Sequence, residues 1–419
     1  MTLPRRMKFG IFLGPFHRHG QNPTLAIDRD LELIEWMDKL GFDEAWIGEH
    51  HSAGWEIIAS PEVFIAAAAR TTRTIKLGTG VSSLPYHHPL ILIDRMVQVD
   101  HMTRGRAMFG VGPGALTSDA YQMGIEAEQQ RPRMEESMAA IMALLRNDAP
   151  VTMKTDWFEL RDARLQLRPY SDPCFHIAVA SAFSPSGPVL AGRYGLGMLS
   201  VSAYAPGALT RMADQWKIAE DEAARNGQNM RREEWRLVLP IHIAETRQQA
   251  FDDVREGYAE WQAGYFQDTL GQPGGEGSTD IEAVANRGGA IVGTPEDAID
   301  AIHRLDELSG GFGGVLGMAH ECANREKTLR SYELWARYVA PQFQGSADST
   351  RASREWVRGN RRTIFAPRQT AVLKAFTDAG IEVPEGVRDR MYRGAAALGD
   401  TLVTPSKPEE APSTPAAGD

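Results

Sequence analysis

Cysteine is nearly absent: Cys174 and Cys322 are the two in 419 residues, too few for a disulfide framework and in keeping with a reducing compartment. Long apolar runs are missing too. Stretches such as Val63 to Ala69 fall far short of the roughly 20 residues that span a bilayer. The N-terminus leads from Arg5-Arg6 into a strand-like run without a signal-like apolar core, so a cytoplasmic protein away from membranes is expected. Positive charge is in deficit, with 45 Lys and Arg against 55 Asp and Glu and a net charge of -10. Short clusters such as Arg231-Arg232 and Arg361-Arg362 do not form the basic stripe that a polyanion requires, which argues against nucleic acid as a partner.

What the chain does have is a repeated alternation of strand-like and helix-like segments. Strands are expected at Met7 to Leu13 (closing on Gly14-Pro15), Glu44 to Ile47, Lys76 to Val81, Arg106 to Val111, Phe175 to Ala180, Gly197 to Val201, Leu237 to Ile243 and Val315 to Met318. Helices fall between them, among them Thr24 to Leu40 with Gly41 at its cap, Pro61 to Arg70, Pro89 to Met102, Pro206 to Asn226, Thr246 to Gln267 and Pro295 to Leu308. Eight β/α units point to the α/β class and a parallel (β/α)8 barrel, with a doubly wound open sheet as the rival. A polar stretch around Trp157-Phe158 reads as an insertion, and glycine-rich 271–277 as a mobile loop. The barrel is expected over 1–344, an arginine-rich extension with two short helices over 345–403, and a disordered Pro/Ala/Ser tail over 404–419.

In such a barrel, residues at the C-terminal ends of strands face the active site. That rule selects Glu49-His50-His51 after strand two, Ser82-Ser83 and Tyr86-His87-His88 after strand three, and Gly112-Pro113-Gly114 after strand four. A metal site is disfavoured, because adjacent His50 and His51 on extended chain point to opposite sides. After strand five, Ser181-Ala182-Phe183-Ser184-Pro185-Ser186-Gly187 before a helix offers backbone amides and a positive helix end to a phosphate. An ordinary serine-capped helix start would read the same way. Phe12, Phe16, Trp55 and Tyr86 either wall an apolar pocket or pack a rim insertion.

Taken in order, Met7-Lys-Phe-Gly-Ile-Phe12, Gly41-Phe-Asp-Glu-Ala-Trp-Ile-Gly-Glu-His-His51, Ile75-Lys-Leu-Gly-Thr-Gly80, Leu84-Pro85, His88-Pro89, Gly105-Arg-Ala-Met-Phe-Gly-Val-Gly112, Ala178-Val-Ala-Ser181, Gly192-Arg-Tyr-Gly195 and Val292-Gly-Thr-Pro-Glu-Asp297 resemble the bacterial luciferase-like, flavin-dependent monooxygenases. The likeness spans roughly Met7 to Val339, and Trp-x-x-Glu-His-His is its most specific element. Trp356-Val-Arg-Gly-Asn and Phe365-Ala-Pro in the extension are similar to the limonene 1,2-monooxygenase subset.

The resemblance implies a luciferase-like TIM barrel with insertions and a C-terminal helical extension, assembled as a homodimer. It further implies reduced FMN (FAD in some members), dioxygen, a flavin 4a-hydroperoxide kept from water, and a small apolar organic substrate. A separate NAD(P)H-dependent flavin reductase is implied because no G-x-G-x-x-G opens a strand-helix unit. His50 matches the family's active-site histidine, a proton shuttle titrating near neutrality, while His51 faces away; Glu49 orients His50 or supports the strand end. Gly80 and Val81 fall where members carry a non-proline cis peptide under the flavin. Gly112, Pro113 and Gly114 would line the ring system, Arg131 (with Arg133 close by) would reach the phosphate, and Ser181, Ala182 and Ser184 would complete its site. The chain departs from luciferase in having Pro113 in place of an arginine and Gly112 in place of a cysteine. A deazaflavin-dependent oxidoreductase and a non-catalytic flavin-binding subunit are the alternatives on this fold.

Overall fold

A computed structural model of the chain describes residues 6–146, 149–201, 208–272 and 274–398. Its strands are β1 (Lys8–Phe16), β2 (Glu44–Ile47), β3 (Lys76–Ser83), β4 (Ala107–Gly112), β5 (Val151–Lys154), β6 (Glu159–Ala163), β7 (His176–Ser181), β8 (Gly197–Ser200), β9 (Trp235–Ile243), β10 (Ile291–Gly293) and β11 (Gly314–His320). The helices are α1 (Pro23–Leu40), α2 (Pro61–Thr71), α3 (Pro89–Thr103), α4 (Thr117–Gln122), α5 (Ala127–Arg146), α6 (Ser186–Tyr194), α7 (Ala208–Arg225) and α8 (Arg247–Glu260). After them come α9 (Ile281–Asn286), α10 (Pro295–Ser309), α11 (Arg325–Leu334), α12 (Ala340–Gln344), α13 (Asp348–Gly359), α14 (Arg361–Asp378) and α15 (Glu385–Leu398). Among the described residues no helix is long and apolar enough to cross a membrane.

Strands β9, β11, β1, β2, β3, β4, β7 and β8 pair in that order, all parallel, and β8 returns to β9 to close the ring. The expected barrel is therefore present and the open sheet is not. Several of the helices that follow a strand start on an identifiable signal. Asn22 caps α1 by accepting the Thr24 N–H, Pro61 and Pro89 occupy first-turn positions of α2 and α3, and Thr294 with Asp297 forms a capping box on α10.

Several details differ from the expectation. The insertion holds an antiparallel hairpin, β5–β6, and a short extra strand, β10, pairs with Ile241 to Ile243 of β9. Strand β1 does not stop at Gly14-Pro15 but continues to Phe16 through a register shift after Phe12, because a bulge accommodates what a straight ladder would not. The helix expected to Gln267 changes at Trp261 into a π-helical stretch, Trp261–Thr269. The chain divides into two compact units, Met1–Gly345 and Ser346–Asp419; the second carries three helices, α13 to α15, in place of two. The start of the helix expected at Pro206, one residue of the 271–277 loop and the 404–419 tail lie outside the described residues.

Strand alternation sorts side chains between two cores. Phe9, Ile11, Ala45, Ile47, Leu77, Phe109, Val111, Ile177 and Val179 point outward to the helices. Trp46, Met108, Ala178, Leu199, Val238 and Leu316 fill the barrel. Trp46 is the largest of them, and glycines make its space: a Cβ on Gly80 would lie 2.8 Å from the Trp46 Cβ, and one on Gly110 would lie 3.2 Å from its Cζ3 and 2.1 Å from the Thr79 carbonyl oxygen. The Gly80–Val81 peptide beside it is cis.

Beneath the indole, at the N-terminal end of the barrel, Arg236 and Glu44 are buried and paired across the interior. Arg236 Nε and Nη2 donate to the two Glu44 carboxylate oxygens, each at 2.8 Å, and Trp46 Nε1 donates to Glu44 at 3.1 Å. Burial pushes the Glu44 carboxyl upward, but the facing guanidinium outweighs this and holds it well below the usual carboxylate range. Removing one member of a buried pair leaves the other charge uncompensated, at a cost of about 3–5 kcal/mol. Arg236→Met is therefore expected to lower stability to denaturant by that amount, while Glu44→Gln combined with Arg236→Met recovers part of the loss. A double variant no more stable than Arg236→Met alone would contradict the pairing.

Candidate active site

Beyond Ile47 the chain stays beside β1, since the Gly48 N–H donates to the Leu13 carbonyl at 2.8 Å, and then delivers Glu49, His50 and His51 to the C-terminal rim. Glu49 is buried and its oxygens are fully engaged. His51 Nε2 at 2.9 Å and His87 Nε2 at 2.8 Å share Oε1, and the Ser83 N–H donates to Oε2 at 2.8 Å. Burial raises this carboxyl, yet the donors from His51, His87 and Ser83 prevail and leave it below its ordinary value. Of the two roles open to Glu49, the contacts are those of strand-end support: it ties the end of β2 to that of β3, and its hydrogen bonds go to His51 and His87, not to His50.

His50 is oriented by other groups. Its Nδ1 lies 3.2 Å from Asp119 Oδ2 on α4 and its Nε2 3.3 Å from Glu56 Oε2. Burial pushes this imidazole down, but Glu56, Asp119 and Glu49 together push it up to about 9. The expectation of titration near neutrality is thus corrected upward, because Glu56 on the turn that follows and Asp119, remote in sequence, both favour the protonated ring. Asp119, itself buried, also accepts from the His51 N–H at 3.1 Å and from the Ser52 hydroxyl. His50 and His51 therefore turn to different carboxylates.

The rest of the rim follows from strand period. Two residues beyond the inward-facing layer of Trp46 stand Phe12 on β1, Gly112 on β4, Ala180 on β7, Val201 just past β8 and Met318 on β11. Phe12, Val81, Val201 and Met318 are half-buried on top of the inner core. On the β4 and β7 side the layer is small: a Cβ on Gly112 would lie 2.8 Å from Val81 Cγ2 and 3.6 Å from the Ala180 Cβ. Gly114 has φ +85°, and a side chain there would strike the Tyr86 hydroxyl. Gln130 Nε2 donates to the Pro113 carbonyl at 3.1 Å and the Gly114 carbonyl at 3.3 Å, fixing that loop.

Next to Ala180 begins α6, with Pro185 at its cap position and no side-chain cap. The ordinary serine-capped start is thus ruled out, and the cap residue offers no side-chain acceptor to the orphan N–H groups of the first turn. The Ser184 and Ser186 hydroxyls are 2.7 Å apart. Ser181 is buried and donates to Gln215 Oε1 at 2.8 Å, and Gln215 Nε2 donates to the Ala182 carbonyl at 2.7 Å. Arg131 is exposed on α5, whereas Arg133 lies 5.4 Å over the Trp157 ring. A planar ring over the small residues and an anion at the α6 start both fit these features.

Among the aromatic candidates, Phe16 and Trp55 stack at 4.7 Å and meet Trp261 and Tyr265 in a rim cluster, while Phe12 belongs to the barrel mouth and the Tyr86 hydroxyl accepts from Gln130. Sequence reasoning placed His87 at the rim without its partner Glu49, and missed Asp119, Glu56, Gln130 and Gln215. Asp119 was within reach, five residues past Gly114 at the end of β4. Glu56 and Gln215 carry no local signal.

A family model described as luciferase-like monooxygenase matches residues 7–310. The chain is 47% identical over 358 residues to 4-hydroxyprotoasukamycin monooxygenase of Streptomyces nodosus subsp. asukaensis, covering 84% of this chain and 96% of that one. It is 46% identical over 372 residues to limonene 1,2-monooxygenase of Rhodococcus erythropolis, covering 87% and 92%. The fold is similar to that of the oxygenating constituent of 3,6-diketocamphane monooxygenase from Pseudomonas putida, solved with FMN, at a TM-score of 0.68 and 24% identity, over 80% of this chain and 98% of the other.

The state of His50 has a thermodynamic signature. Its folded value, about 9, exceeds the unfolded value of about 6.5, so its stabilisation is full below the latter and lost as pH rises through the former. The melting-temperature gap between wild type and His50→Gln is expected to be widest at pH 6 and to narrow by pH 10. A gap that does not change with pH would show that the fold does not raise the titration of this ring.

Proposed function

The chain belongs to the luciferase-like monooxygenase family, and from that premise we propose that it is the oxygenase of a two-component system, using reduced FMN and dioxygen on a small apolar organic molecule. One observation carries this reading. The mouth layer is small at Gly112 and Ala180, where a flat ring system needs room, apolar at Phe12, Val81, Val201 and Met318, and flanked by the uncapped start of α6. Gly80, Val81, Gly112, Pro113 and Gly114 would border the ring, and the first N–H groups of α6 with Ala182, Ser184 and Arg131 would hold the phosphate. Ser181 acts at one remove, through Gln215.

When bound, the reduced flavin supplies the electrons that activate dioxygen. The protein's own residues do the rest. His50 holds a proton on a ring clamped between Asp119 and Glu56, ready to be given where negative charge develops on oxygen. The Phe16, Trp55, Trp261 and Tyr265 cluster covers one side of the rim against water. The half-buried apolar side chains favour a substrate without charge, as does the relative named for limonene, a hydrocarbon. A homodimer in the cytoplasm, served by an NAD(P)H-dependent flavin reductase, completes the reading.

The test is reconstitution with chemically reduced FMN, dioxygen and limonene as probe substrate. His50→Ala is expected to lower product formation by about 100-fold or more while FMN affinity, read by fluorescence, stays within a few fold. Unchanged product formation would remove His50 from the reading. Tighter binding of a deazaflavin than of FMN would favour the hydride-transfer alternative, and NADH oxidation by this chain alone would remove the separate reductase.

A further inference from the structure

His50 is held from both sides, and the second holder belongs to a segment with its own anchor. Glu56 lies on the turn that follows β2, where Ala53 and Gly54 adopt left-handed conformations (φ 68° and 73°) and bring the chain back toward β1. There Glu56 bridges to Phe16, the His17 N–H donates to the Trp55 carbonyl at 2.9 Å, and the His50 N–H donates to the Ile58 carbonyl at 3.1 Å. Trp55 is the side chain that locks this turn. It stacks on Phe16, and its Nε1 donates to Thr269 Oγ1 at 2.9 Å. Its ring rests on the bare backbone of Gly264, where a Cβ would come within 2.8 Å of Cη2. Gly264 and Thr269 both belong to the π-helical stretch Trp261–Thr269, a conformation that departs from a regular helix and recurs at functional sites.

We propose that Glu56 is a positioning residue for His50, closing on its Nε2 edge while Asp119 holds Nδ1, and that Trp55 seated on Gly264 sets where Glu56 stands. The idea rests on the role given to His50 above. The groups acting on this ring are Glu56 from its own turn, Asp119 from α4, Glu49 from the adjoining residue, and His51, whose charge opposes that of His50. Three carboxylates against one neighbouring imidazole favour the protonated form, and a carboxylate on each nitrogen fixes which ring edge faces which partner. Asp119 alone would leave Nε2 free to turn or to lose its proton. The π-helical stretch thereby governs the proton of a residue on a different strand end, through one tryptophan.

The experiment is a histidine titration by nitrogen-15 NMR on the full chain, with His50 assigned from the spectrum of His50→Gln. It is followed by the pH profile of product formation against hydrogen peroxide release. In Glu56→Gln, which keeps the shape and removes the charge, the His50 midpoint is expected to fall by about one unit or more, and the product profile to move with it. A His50 midpoint equal to that of wild type overturns the role of Glu56. A midpoint that falls while the product profile stays put upholds Glu56 as the partner of His50 and removes His50 from the chemistry, so the two ideas fail separately. Gly264→Ala, checked by its melting curve for folding, is expected to lower the midpoint in the same direction by a smaller amount. If Gly264→Ala and Trp55→Phe both titrate like wild type, Trp55 does not set the place of Glu56.

Discussion

A closed eight-stranded barrel has an interior that only side chains can fill, and here one indole occupies its middle. Trp46 fits because the facing positions on β3 and β4 are glycine, and it stays in place because its ring nitrogen donates to Glu44, which Arg236 holds from across the barrel. Volume and charge are thus settled at the N-terminal half. The C-terminal half is relieved of both duties, so the layer above Trp46 can be made of Gly112 and Ala180 on one side and half-buried apolar residues on the other. A mouth with room for a ligand depends on a floor that is fully packed.

The carboxylates of the rim divide their work by position. Glu49 is buried and binds neighbouring strand ends together through His51, His87 and the Ser83 amide. Asp119 gathers His50, the His51 amide and Ser52, tying the turn after β2 to the helix after β4. Glu56 completes the enclosure of His50. Because all three are close to the ring and shielded from solvent, their fields act with little screening. A histidine that would otherwise titrate near neutrality is pushed toward its protonated form, as the proposed proton donor requires.

The barrel was legible from the sequence because its signals are local. Strand runs such as Lys76 to Val81, the Gly41 cap and the prolines that open α2, α3 and α10 are written within a few residues of where they act. The rim was legible in outline for a related reason, since a parallel barrel puts every strand end on one face. The same logic faltered where structure arises from mismatch, as at the bulge that carries β1 on to Phe16, the change to π-helical winding at Trp261 and the hairpin inside the insertion.

By itself, the sequence determined the fold, the family and the strand ends from which Gly80, Gly112 and His50 reach the mouth. Only the tertiary structure decided what surrounds those residues there. It turned the Glu49 carboxylate to His51, His87 and the Ser83 amide, put Pro185 rather than a serine at the α6 cap, and set Asp119 and Glu56 on either side of His50. The reason is physical: periodicity and capping act over one or two turns of chain, whereas the protonation of a buried group is set by charges within a few ångströms in space, whatever their separation in sequence.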